Sequence, residues 1–210
     1  LKSECTYLNG RLHGPSLFFS KEGTLLSKSL FTHNLKQGKS ERYYLSGKIY
    51  AEENYENGHL HGKQQYFFEN GRIKTEIHYE YGNLNGYNVL NWENGKKKRS
   101  LFFEKGKRHG WDRIWSQTGV LLEEGEYIKG VPIGLHRRFF QNGALFEEKQ
   151  FHSPLQFDRR EWNARSELVY EGVFKNKKSF KEKVWTETGC KEREGIWDID
   201  HVKWVKDELV

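Results

Sequence analysis

The chain has 210 residues, 35% hydrophobic and 30% charged, with 35 basic and 29 acidic side chains and a formal net charge of +6. So low an apolar content excludes a deep globular core, while 15% aromatic residues at regular spacing argue against disorder. No apolar run approaches the roughly 20 residues that span a bilayer, and Cys5 and Cys190 alone make neither a disulfide framework nor a zinc site.

The opening LKSEC lacks the apolar core of a signal peptide. The chain contains no Met, as expected of a trimmed or mature fragment, so its cellular address stays open, with the cytoplasm slightly favoured. The ending KDELV is not a retention signal, because Val210 follows Leu209.

From there the chain repeats itself. Gly14, Gly38, Gly62, Gly86, Gly110 and Gly134 fall 24 residues apart, as do Gly23, Gly47, Gly71, Gly95, Gly119 and Gly143. An aromatic residue closes each unit, at Tyr7, Phe31, Tyr55, Tyr79, Phe103, Tyr127 and Phe151, followed at steps of 23 by Phe174 and Trp197. A fixed period of this size marks a repeat array, in which each unit buries its apolar surface only against its neighbours. Residues 1–7 read as the second half of an incomplete unit, 8–151 as six regular repeats, 152–197 as two divergent repeats and 198–210 as a capping strand or short helix.

Within a unit, residues 39–45 and 48–55 read as two strands around Ser46-Gly47, and Asn70-Gly71, Asn94-Gly95 and Asn142-Gly143 hold the same place elsewhere. Asn-Gly accepts the positive φ at both central positions of a type I′ turn, so these are predicted to be the tight hairpins. A second turn precedes each unit, at Asn9-Gly10, Asn57-Gly58, Tyr81-Gly82, Lys105-Gly106 and Lys129-Gly130. The expected fold is all-β, an elongated meander of antiparallel hairpins with 23–24 residues per repeat. Alternation places Phe19, Tyr43, Phe67, Trp115, Phe139, Trp162 and Trp185 in one column, with Asn91 as the exception and Trp92 beside it.

The phrases NGRLHG at 9–14, NGHLHG at 57–62 and NGRIKTEIHY at 70–79 resemble MORN repeats, more closely the bacterial MORN variant, with echoes in KGKRHG at 105–110 and NGALFEEKQF at 142–151. The resemblance spans residues 8–197. It implies a β-meander that binds other macromolecules and needs no cofactor. Similar bacterial proteins often carry an antitoxin label, and eukaryotic MORN proteins are scaffolds at membranes and cytoskeletal structures.

Candidate chemistry is sparse. His13, His61 and His109 share a column, but strands about 4.8 Å apart put them too far from one another to share an ion, so no metal is expected. The glutamates at 52, 76, 124, 148, 171 and 194 are expected to accept turn amides or pair with neighbouring lysines. No phosphate loop or nucleophile elbow is visible, so neither an enzymatic role nor a small-molecule substrate is expected. The basic clusters are the binding candidates: Lys96, Lys97, Lys98 and Arg99; Lys105, Lys107 and Arg108; Arg137 and Arg138; and Lys175, Lys177 and Lys178. At Lys97 and Arg99 the apolar stripe carried by Ile73 and Thr75 one repeat earlier is broken, and such local exceptions mark sites. The leading expectation is a protein-binding module that uses one face or a free edge. Attachment to anionic lipid or nucleic acid is the second, and toxin neutralisation, implied by resemblance alone, the third.

Overall fold

The computed structural model describes residues 2–175, 179–198 and 201–209, with side chains described as far as Ile196. It is all-β, with no helix among the described residues, and it forms two compact units, Leu1–Lys107 and Arg108–Val210. In the first, antiparallel pairing runs from Lys2–Leu8 through Arg11–Phe19, Leu25–Thr32, Gly38–Tyr43, Ile49–Glu56, Gly62–Phe67, Ile73–Glu80 and Gly86–Asn91 to Lys97–Glu104. In the second it runs from Gly110–Trp115 through Leu121–Ile128, Val131–Phe139, Leu145–Ser153, Gln156–Trp162, Leu168–Phe174, Ser179–Thr186 and Gly189–Asp198 to His201–Leu209. This is the hairpin meander that the period predicts. Residues 156–174 keep the earlier register even though Phe157, opposite Phe174, stands where Gly134 stands opposite Phe151.

The two turns of each repeat differ, and the type I′ assignment needs correcting. Both central residues have positive φ in the turns between repeats: Asn9 and Gly10, His33 and Asn34, Asn57 and Gly58, Tyr81 and Gly82, Lys105 and Gly106, Lys129 and Gly130. These are the type I′-like hairpins. In the turns at Ser46-Gly47, Asn70-Gly71, Asn94-Gly95 and Asn142-Gly143 only the glycine is left-handed. There the Gly71 N–H donates to the Phe68 carbonyl and the Phe68 N–H to the Arg72 carbonyl, both at 2.9 Å, a type I turn closed by a left-handed glycine. Asn70 contributes its side chain instead, its Oδ1 accepting the Arg72 N–H at 3.0 Å.

Lys105, at φ 48°, holds a conformation that costs an L-residue about 1 kcal/mol or more. Lys105→Asn matches the residue at Asn57 and is expected to raise the unfolding free energy by about 0.5–1 kcal/mol. The check is a higher denaturant midpoint at unchanged slope.

Past each type I′ turn the pairing is interrupted. Tyr55 faces Leu60 and Glu52 faces Gln65, so Glu53 and Asn54 lie opposite four residues, 61–64. A bulge of this kind strands backbone groups that must find partners. Gln64, fully buried, supplies them: its Oε1 accepts the Asn54 N–H at 2.6 Å, and its amide nitrogen lies 3.1–3.2 Å from the carbonyls of Asn54, His61 and Gly62. Gly62, at φ 72°, allows the chain to re-enter the strand.

The same position is polar in every regular repeat. Ser40 bonds Ser29 at 2.6 Å, Asn88 accepts the His78 N–H at 3.1 Å, and His136 Nε2 donates to the Glu126 carbonyl at 2.9 Å. His136 lies over Gly125, where an added Cβ would sit 2.2 Å from its Nδ1. Ser16, Ser40, Gln64, Asn88 and Asp112 are all buried, whereas among the described residues Ala51, Leu101 and Phe180 are the buried hydrophobic ones. The interior is therefore a column of polar plugs, of which Gln64, Asn88 and His136 bond backbone groups of the broken ladder while Ser16 and Ser40 bond side chains of the facing strand, and this helps so hydrophilic a chain hold together.

In the second unit rings supplement the plugs. Tyr127, His136, Phe151, Phe157, Phe174 and Phe180 follow one another with centroids 4.5–5.6 Å apart. The closing aromatics thus stack through rings interleaved from the facing strand.

Candidate binding edge

Cations on the two sheet faces are largely neutralised where they stand. On one face of the first unit the glutamate column pairs with lysine, Lys39 with Glu52 at 2.8 Å and Lys63 with Glu76 at 3.8 Å, and in the second unit Arg113 pairs with Glu124 at 3.1 Å, Arg160 with Glu171 at 2.9 Å, and Lys181 with Glu194. Pairing, not turn-amide capping, is what this column does.

On the other face of each unit a carboxylate is buried. Glu53 meets Arg42 and accepts the hydroxyls of Tyr55 and Tyr66, each at 3.1 Å. Glu147, 2% exposed, is held by Arg159 at 2.8 Å, Lys149 at 3.2 Å and Arg138 at 3.7 Å.

Burial and then the Glu53 carboxylate push Tyr55 and Tyr66 up to about 12. Burial and a hydrogen bond to Glu41 push Tyr43 to about 12 as well. The folded chain thus holds these protons more tightly than the unfolded one, whose tyrosines ionise near 10. Their contribution to stability is intact below pH ~10 and is lost as pH rises toward ~12. An ultraviolet absorbance titration should show a late-ionising group of tyrosines, with alkaline unfolding beginning above pH ~10.

A different arrangement lies along the last three of the four glycine-closed turns of the first unit; at the earlier one, Ser20–Gly23, the pairing slips between Phe18 and Phe19 and the extra residue is Leu26. Beside each of the three the pairing slips by a residue, between Arg42 and Tyr43, Tyr66 and Phe67, and Leu90 and Asn91, leaving Tyr50, Lys74 and Lys98 as the extra residues of the facing strand. A bulge re-aims the extra side chain. Here it lands on the ring at the start of the turn: Tyr50 against Tyr44 at 5.2 Å, Lys74 Nζ over Phe68 at 5.7 Å, and Lys98 Nζ over Trp92 at 4.3 Å. Alongside, Lys48 Nζ donates to the Glu69 carbonyl at 3.0 Å and Arg72 Nη1 to the Glu93 carbonyl at 3.1 Å.

Lys48, Arg72, Lys74 and Lys98 therefore meet rings and carbonyls, and among the described residues no carboxylate. Leu45, 74% exposed, stands at the tip of the first of these turns. In the second unit the matching bulge residues are Leu122, Phe146 and Val169, and the residues after the turn are Val120, Ala144 and Glu167. The charge balance follows: residues 1–107 carry 17 basic and 11 acidic side chains, and residues 108–210 carry 18 of each.

Of the basic residues singled out in the sequence, Lys96, Lys97 and Lys98 stand exposed together after the Asn94-Gly95 turn, and Arg99 is half-buried opposite Leu90. Lys105 lies in a type I′ turn, and Lys107 is exposed. Arg108 stacks on Tyr127 at 4.1 Å and reaches Asp112 at 3.3 Å. Arg137 sits between Glu124 at 3.6 Å and Glu148 at 3.3 Å, and Arg138 between Glu147 at 3.7 Å and Glu123 at 4.0 Å. Lys175 is exposed, while Lys177 and Lys178 lie outside the described residues. The structure thus gathers Lys96–Lys98 with Lys48, Arg72 and Lys74, which the sequence reading passed over. The signal available was the column Tyr50, Lys74, Lys98, two residues past each turn's first basic residue.

Of the histidine column, His61 has a backbone role. His61 Nδ1 accepts the Tyr81 N–H at 3.4 Å, the place that Gln37 takes for Asn57 at 2.9 Å and Asn85 for Lys105 at 3.2 Å. Among the described residues no group of three or more His, Cys, Asp or Glu side chains could hold a metal ion.

With this geometry in view, the family model described as MORN repeat variant matches twice, over residues 36–57 and 60–81. The chain is a MORN-repeat protein, and the matched repeats include the first two turns of the basic edge. No curated protein matches it.

Proposed function

We propose that this MORN-repeat module is non-catalytic and binds another protein through the turn edge spanning residues 44–98. The observation that carries the reading is the pairing of Lys48, Arg72, Lys74 and Lys98 with rings and carbonyls, while cations on the faces are matched by glutamates. Charge left without a carboxylate on a rigid, repeated ridge is available to a partner of opposite sign and steers its approach. The test is affinity capture at physiological salt with the full chain and with a Lys74→Glu, Lys98→Glu variant. A protein retained by the parent and lost by the variant supports the reading, and equal retention by both overturns it.

Leu45 favours a second reading, attachment to an anionic lipid surface. A single exposed leucine beside lysines and rings is the composition of an interfacial contact. Co-sedimentation with anionic and with neutral vesicles separates the two readings. An antitoxin role is supported by resemblance alone, and a neighbouring reading frame encoding a small toxic protein would be the observation that favours it.

A further inference from the structure

The edge has a repeat length of its own. Successive turns are two strands apart, which at 4.7–4.9 Å per strand puts equivalent side chains about 9.6 Å from one another. Lys74 and Lys98 are therefore spaced by that distance, and so are the rings Phe68 and Trp92 over which they lie. A polypeptide in the polyproline II conformation advances about 3.1 Å per residue with three residues per turn, so every third side chain returns to the same side after about 9.3 Å. No such match exists for an extended strand, whose side chains alternate faces about every 3.3 Å.

We propose that the partner segment recognised here is an acidic polyproline II stretch with a carboxylate at every third position. On the protein-binding reading above, its acids meet Lys74 and Lys98, with Lys48 and Arg72 alongside. The polyproline helix is already ordered before it binds, so little conformational freedom is lost on association. The sheet twists by about 20–25° per strand, so the straight ligand keeps register over few repeats. The basic edge has that extent, three turns from Tyr44 to Lys98.

Two competing ligands fit less well. Single-stranded nucleic acid is gripped by rings with an open face, and here Phe68 lies under Lys74 and Trp92 under Lys98. A flat anionic membrane would touch all the tips at once, including the exposed Glu69 and Glu93 that hold the place of Leu45 in the next two turns.

The experiment is fluorescence anisotropy of the full chain with a labelled peptide of Glu-Pro-Pro triplets. The comparison peptide has Glu-Pro-Pro-Pro units and the same number of glutamates. The triplet peptide is expected to bind at least about tenfold more tightly, and Lys74→Glu, Lys98→Glu is expected to weaken it by about tenfold or more without changing the thermal midpoint. Equal affinity for the two spacings, no binding of either, or tighter binding to anionic vesicles or a single-stranded oligonucleotide would overturn the inference. If the charge-reversal variant still loses a captured protein while the peptides show no spacing preference, the protein-binding reading stands and this inference falls.

Discussion

Replacing Gln64 with leucine is expected to lower the unfolding free energy by about 2–4 kcal/mol, although the two side chains are similar in volume. The loss comes from the backbone. The Asn54 N–H and the carbonyls of Asn54, His61 and Gly62 all lean on the Gln64 amide, which is fully buried, so a leucine there leaves them without it. Each buried group deprived of its partner costs about 1–3 kcal/mol, reduced where water can enter. Gln64→Asn is the informative control. Asn88 holds the same position one repeat later and accepts the equivalent N–H, from His78, so asparagine is expected to recover most of the loss. Chemical denaturation of both variants checks this, and because repeats contact only their neighbours the damage should be greatest in exchange protection of residues 51–66.

Glu147→Ala is expected to cost about 3 kcal/mol, near the lower end for breaking a buried ion pair. The carboxylate is 2% exposed and collects Arg159, Lys149 and Arg138, so its removal leaves three cations without their common partner. The cations are themselves partly solvated, which keeps the cost from the upper end. Arg138→Ala should cost less than about 1 kcal/mol, because that side chain is half-exposed and Glu147 keeps its other two partners. A large loss for the arginine and a small one for the glutamate would reverse this account of the second unit.

Much of the fold was legible because the repeat is written in residues with one backbone meaning. Gly14, Gly38, Gly62, Gly86, Gly110 and Gly134 all have positive φ, and the second glycine register shows the same from Gly23 to Gly143. What misled was a dipeptide with two uses. Asn57-Gly58 and Asn70-Gly71 read alike, yet Asn57 is left-handed and Asn70 is there for its side-chain oxygen. The plugs escaped notice because Gln64, Asn88 and His136 share a position and a task but no chemical identity.

The candidate edge was only half visible for a related reason. Counting like charges along the chain finds Lys96, Lys97 and Lys98, but Lys48, Arg72 and Lys74 join them only across strands. Lys74 and Lys98 are moreover bulge residues, whose direction the two-residue alternation of a strand does not give. Conversely, Arg137 and Arg138 look like a basic pair in sequence, and the facing strands supply Glu124, Glu148, Glu123 and Glu147 to match them.

The central claim, that the turn edge of the first unit is the surface that meets a partner, is tested most directly by amine-reactive cross-linking of the full chain to the protein it retains, with the linked lysines identified by mass spectrometry. The account predicts links at Lys48, Lys74, Lys97 and Lys98. Links confined to lysines of the second unit, such as Lys149, Lys181 and Lys183, would contradict it.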